Sequence, residues 1–119
     1  MEATRRFNIN RGYMKLEVWR ESIQLLKVAN DIVTDRKDLD LRLKSRILSS
    51  AQSVSANLAE GYFRKSINEY LQFLSIALGS LGEVLTKMVG LHECNYISAD
   101  SLNRLTHFTT QSKTYSLLS

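Results

Sequence analysis

The chain of 119 residues contains no proline and only five glycines. Proline breaks helix interiors and glycine marks sharp turns, so their scarcity excludes a loop-rich chain and favours a few long, straight helices. A single cysteine, Cys94, excludes an internal disulfide and fits a reducing compartment. Long apolar runs are missing too. The longest uncharged stretch, Tyr70–Gly82, has 13 residues, against the roughly 20 of a membrane-spanning helix. No apolar signal core follows Met1-Glu2-Ala3-Thr4-Arg5-Arg6, so a cytoplasmic location is expected.

What the chain does contain is 44% hydrophobic and 24% charged residues, enough to bury one real core in one domain. Charge is uneven. Residues 1–65 carry 13 Lys/Arg against 8 Asp/Glu, whereas residues 66–119 carry 3 against 4. The basic excess belongs to the first half, which suits a polyanion such as RNA and equally suits a solvated surface.

Residues 1–13, with Arg5, Arg6 and Arg11, read as a basic arm ahead of a domain over 14–119. Leu16, Trp19, Ile23, Leu26 and Val33 recur at helical spacing and predict a first helix over about 15–34. A second is predicted from Leu39–Leu41, capped by Asp38 or Asp40, to about Glu60, with Leu43, Ile47, Ala51, Val54 and Leu58 inward. Its polar face carries Arg42, Arg46, Ser49 and Ser53. Gly61 is expected to be a left-handed helix stop, and Ser66–Glu69 a capping box opening the third helix over about 67–91. Tyr70, Leu74, Ala77, Leu81, Val84, Leu85 and Met88 form that helix's core face. Ser98 caps a fourth over about 99–117, with Leu102, Leu105 and Thr109 on one stripe. The fold expected is all-α, an antiparallel up-down-up-down four-helix bundle.

The far face of the third helix carries Ser75, Gly79, Gly82 and Thr86 where Glu, Lys or Arg is usual. Each helix-interior glycine costs about 1 kcal/mol relative to alanine, a cost that close approach of another backbone can offset. A seam between subunits of a cyclic homo-oligomer is the expectation; tight packing inside one bundle is the alternative.

Chemical motifs are few. Gly61-Tyr62-Phe63-Arg64-Lys65-Ser66 fails as a phosphate loop, since Arg64 replaces the second glycine and a helix precedes it. Arg64, Lys65 and Ser66 could instead hold an anion at the start of the third helix, where cations are otherwise misplaced; pairing of a cation with Glu60 is the alternative. His92, Cys94 and His107 are too few for structural zinc, so no metal is expected. Neither a nucleophile elbow nor paired carboxylates occur, and no catalysis or cofactor is expected. The nucleic-acid-binding candidates are Arg20, Arg42, Arg46, Arg64 and Lys65.

Ser53-Val54, Asn57-Leu58-Ala59-Glu60-Gly61, Lys15-Leu16-Glu17-Val18-Trp19, Ile76-Ala77-Leu78-Gly79-Ser80-Leu81 with Glu83, and Tyr96-Ile97 together resemble the bacterial 23S rRNA intervening-sequence protein family, also called the four-helix bundle protein family. The resemblance covers about residues 14–106. It implies a ring-shaped homopentamer without enzymatic activity, in a family whose members are often encoded within insertions in large-subunit rRNA genes. Members are similar to the accessory protein of diversity-generating retroelements, which binds nucleic acid and a reverse transcriptase through a basic surface. Binding of structured RNA is therefore expected, with a protein scaffold for a partner such as a reverse transcriptase as the rival. Two departures stand out. Leu48-Ser49 replaces an arginine pair of many relatives, and Ser55-Ala56 replaces a proline.

Overall fold

The structure, a computed structural model, describes residues 16–110. The predicted arm over residues 1–13 and the predicted end of the last helix lie outside the described residues. Four helices follow one another: α1 (Glu17–Thr34), α2 (Leu41–Tyr62), α3 (Ile67–Glu93) and α4 (Ala99–Thr110). Among the described residues there is no strand. Each helix packs on its neighbours in sequence, α1 also packs on α4, and the α2–α3 contact is the most extensive. Ser53 bonds Ser80, while Gly61 sits against Tyr70 and Phe73, so position rises along α2 as it falls along α3.

The helix starts follow the capping residues. The Asp40 side chain accepts from the Leu43 N–H at 3.2 Å, and Ser66 Oγ accepts from the Glu69 N–H at 3.1 Å. Ser98 Oγ takes the Ser101 N–H at 3.1 Å at the start of α4. Each bond satisfies one of the donors that a helix N-terminus leaves open.

The core is built from Ile47, Ala51, Val54 and Leu58 of α2, Leu74, Ala77, Leu81, Val84, Met88 and Leu91 of α3, and Leu105 of α4. The α2 and α3 stripes match the periodicity. On α1 the buried row is Val18, Ser22, Leu25, Ala29, Ile32 and Val33, whereas Leu16, Trp19, Ile23 and Leu26 are half-buried. The helix is rotated by about one residue from the expected stripe. Small Ser22 and Ala29 face inward, where they admit a close neighbour, and Ser22 satisfies its hydroxyl on the Trp19 carbonyl at 2.5 Å.

Gly61 is also corrected. α2 continues through it to Tyr62, and no described glycine has a positive φ. A Cβ at Gly61 would lie 3.0 Å from the Phe73 Cβ and 3.5 Å from the Tyr70 carbonyl oxygen. The position needs glycine because α3 crosses there, not because the chain turns left-handed. The left-handed residue is Asn95, at φ 66°. Its N–H reaches the His92 carbonyl at 3.0 Å, and the Tyr96 N–H reaches Leu91 at 2.8 Å. Those two bonds are a Schellman closure of α3, a place where asparagine stands in for glycine.

The mean hydropathy of α3 reaches 1.4 over 18 residues, so by length and composition it is apolar enough to cross a membrane, beyond what the 13-residue uncharged run implied. One third of that window is buried inside the protein. Its core row faces the neighbouring helices, whereas Ile67, Leu71, Ile76 and Val89 are exposed.

Candidate nucleic-acid interface

The row Arg42, Arg46, Ser49, Ser53, Glu60 recurs at three-, four- and seven-residue intervals, which keeps it on one side of α2. That side borders α3. Arg46, Ser49, Ser50 and Ser53 of α2 face Ser80, Glu83 and Lys87 of α3 across a polar furrow. Ser80 Oγ donates to Ser53 Oγ at 2.7 Å, and Asn57 Nδ2 donates to the same oxygen at 2.9 Å. Ser53 thus belongs to the helix contact rather than to a wet face. Short hydroxyl side chains let α2 and α3 approach while their polar atoms stay paired.

Lys87 pairs with Glu83 across the rim of this furrow. The hydrogen bond from Lys87, then one from Ser50, holds the Glu83 carboxyl below the usual glutamate range. Stability from the pair is therefore present above that range and fades as pH falls through the lowered value. In a Lys87→Met chain the Glu83 carboxyl should titrate closer to an ordinary glutamate, as read by carboxyl-carbon NMR. The melting temperature should hardly move, because both groups reach solvent.

Four described cations have acidic partners: Lys27 with Asp31, Arg36 with Asp38, Arg64 with Glu60, and Lys87 with Glu83. Arg42, Arg46 and Lys65 are exposed and make no ion pair among the described residues. Arg42 stands in the first turn of α2, beside the Asp40 carboxylate that caps that helix, and Arg46 lies one turn further on.

Arg20 is separate from this edge. It lines a groove with Trp19, Ile23, Gln24 and His107, on α1, a helix that does not pack on α3. At the α2–α3 turn, Arg64 Nη2 lies 2.5 Å from Glu60 Oε2, and its guanidinium sits 4.7 Å from the Phe73 ring centre. Ser66 already caps α3. Of the three residues expected to share an anion, Lys65 is the one without an acidic partner among the described residues.

The other candidate surface is the outside of α3. Ser75, Gly79, Gly82 and Thr86 are exposed, and a Cβ at Gly79 or Gly82 would meet no atom within 4 Å beyond its own helix backbone. Among the described residues, no helix of the same chain covers this face. Leu71, Ile76 and Val89 flank it, with Ile76 50% exposed. Charged residues are absent between Glu69 and Glu83.

The remaining motif residues serve the backbone. His92 Nδ1–H donates to the Ile97 carbonyl at 3.1 Å, bracing the α3–α4 turn, and Cys94 is exposed. No three His, Cys, Asp or Glu side chains converge among the described residues. Sequence periodicity missed the exposed Tyr62–Phe63 pair, although two aromatic residues beside Arg64-Lys65 in a short turn were visible in the chain order.

The described residues thus form an all-α domain of four helices, with Arg42, Arg46 and Lys65 exposed and Leu71, Ile76 and Val89 exposed on the outside of α3. The chain belongs to the 23S rRNA-intervening sequence protein family, whose model matches residues 14–115. Comparison with curated proteins gives no match.

Proposed function

We propose that the protein is a non-catalytic, cytoplasmic RNA-binding module that works as a homo-oligomeric ring. The observation that carries the RNA reading is the pair Arg42 and Arg46, exposed one helical turn apart with no acidic partner among the described residues, in a chain whose family is named for an rRNA insertion. Phosphates of a structured RNA would lie along the α2 edge, contacting Arg42, Arg46 and Lys65; Arg64 joins them only by releasing Glu60. Recognition there is by charge and shape, since phosphate contacts position an RNA without reading its bases.

The four helices run up-down-up-down, and the outer side of α3 receives a neighbouring copy. The family resemblance gives five copies. Support for this seam is the uncovered strip of Ser75, Gly79, Gly82 and Thr86 between apolar flanks. The same apolar flanks favour the second reading, a scaffold for a partner protein such as a reverse transcriptase.

Salt titration separates the two readings. RNA affinity should fall steeply with salt, and Arg42→Ala/Arg46→Ala should reduce the slope of log K against log salt by about 1.5. An unchanged slope would remove these two residues from the interface. Salt-insensitive failure of the native chain to bind any RNA would favour the scaffold.

A further inference from the structure

We infer that the polar furrow between α2 and α3 takes one ribose–phosphate unit of an RNA strand, with the phosphate on Arg46 and Lys87 and the ribose 2′-hydroxyl donating to the Glu83 carboxylate. The inference rests on the RNA-binding reading above and deepens it: this stretch of the α2 edge tells ribose from deoxyribose.

The register of the helix pair builds the furrow. Ser53 bonds Ser80, and position falls along α2 as it rises along α3. Ser50 therefore stands level with Glu83, to which it donates, and Arg46 stands level with Lys87. At 1.5 Å per residue, the serine pair and the cation pair lie roughly 10 Å apart along the helices. The furrow offers about 510 Å³, within the ~300–1,000 Å³ of small-ligand clefts.

Its bonding capacity is only partly used. Lys87 gives one of the three ammonium hydrogens to Glu83 and keeps the others. Glu83 accepts from Lys87 and Ser50, which leaves about half of its lone-pair sites open, and its side chain is 54% exposed. Ser50 is buried, so its bond fixes the carboxylate against the helix contact. Arg46 and Ser49 are exposed, and neither side chain has a partner among the described residues.

The signs of these charges select the ligand. A phosphate suits Arg46 and Lys87 but is repelled by Glu83, one turn along. Whatever lies beside Glu83 must instead donate a hydrogen bond. Inside a sugar–phosphate chain the 2′-hydroxyl of ribose is the donor that meets this need, and deoxyribose lacks it. Short Ser49, Ser53 and Ser80 side chains leave room for the sugar ring to approach.

The test uses the full chain, an RNA hairpin, and the same hairpin fully substituted with 2′-fluoro, which keeps the A-form helix and removes the hydroxyl donor. Binding is read by fluorescence anisotropy. The native chain should prefer the RNA roughly tenfold, the scale of one hydrogen bond to a charged acceptor. The two salt slopes should agree, because the phosphates are the same. Glu83→Ala should bring the two affinities together, and Glu83→Gln, which keeps an acceptor oxygen, should retain part of the preference. Circular dichroism checks that each variant is folded. Equal binding of both hairpins by the native chain, or a preference that survives Glu83→Ala, overturns the ribose contact. Adenosine 5′-monophosphate has no neighbouring phosphate for Arg42, so millimolar amounts should leave the hairpin bound; displacement would overturn the strand as occupant in favour of a free nucleotide. Failure of the native chain to bind either hairpin would overturn the RNA reading itself, an outcome distinct from binding both alike.

Discussion

A Gly61→Val chain should unfold about 10 °C below the native protein, a loss of about 2 kcal/mol. The cause is contact, not backbone handedness. A Cβ at this position would already lie 3.0 Å from the Phe73 Cβ, and that atom is fixed to the α3 backbone and cannot swing aside. Two further methyl groups meet the same crossing, which also includes the Tyr70 ring at 3.6 Å. Gly61→Ala is the informative companion. Alanine favours a helix interior by about 1 kcal/mol over glycine, so this gain partly offsets the crowding and the loss should be smaller. Thermal denaturation of the two variants checks the order. A Gly61→Val chain as stable as the native one would mean that α2 and α3 do not approach so closely.

The second large effect has the opposite local sign. At Gly79 and Gly82 an added Cβ meets open space among the described residues, so Gly79→Ala/Gly82→Ala should raise the helix stability of an isolated chain by roughly 2 kcal/mol. The seam predicts that the same methyl groups hold a neighbouring backbone away. Gly82→Glu goes further, because it places an unpaired carboxylate in the middle of the contact. Leaving a charge buried without a partner costs about 3 kcal/mol or more, which weakens association by over a hundredfold. Sedimentation should find Gly82→Glu dissociated while its circular dichroism stays native. An assembly indifferent to Gly82→Glu would place the contact elsewhere.

Glycine roles also mark where the sequence was legible and where it was not. The α2 and α3 core rows follow directly from Leu and Val spacing, because each stripe is bulky on one side and polar or small on the other. The α1 row was misplaced for the same reason: counting bulky residues selected Trp19 and Ile23, while the row that packs inward passes through Ser22 and Ala29. Small residues in a core are invisible to a hydrophobicity count, although they allow the closest helix approach. Gly61 does not take its expected role, and Asn95, to which the sequence assigned none, does. A glycine near a helix end suggests a stop, yet α3 crossing beside Gly61 takes precedence, and the helix that does end left-handed does so at an asparagine.

The cationic edge was partly legible. Helical spacing placed Arg42 and Arg46 together, and the structure adds that neither has an acidic partner among the described residues. Lys87 finds Glu83 one turn earlier on α3, a spacing visible in the chain order, whereas Arg46 has no acidic residue three or four positions away on α2. Composition could not tell that Arg20 lies on a different side of the domain. The glycine strip was legible as unusual, and among the described residues no other helix covers it.

The mass of the native protein in solution, measured by sedimentation equilibrium over a range of concentrations, bears most directly on whether the bare side of α3 has a neighbour. The account predicts a stable whole-number multiple of the chain mass that persists on dilution. A monomer throughout that range would contradict it.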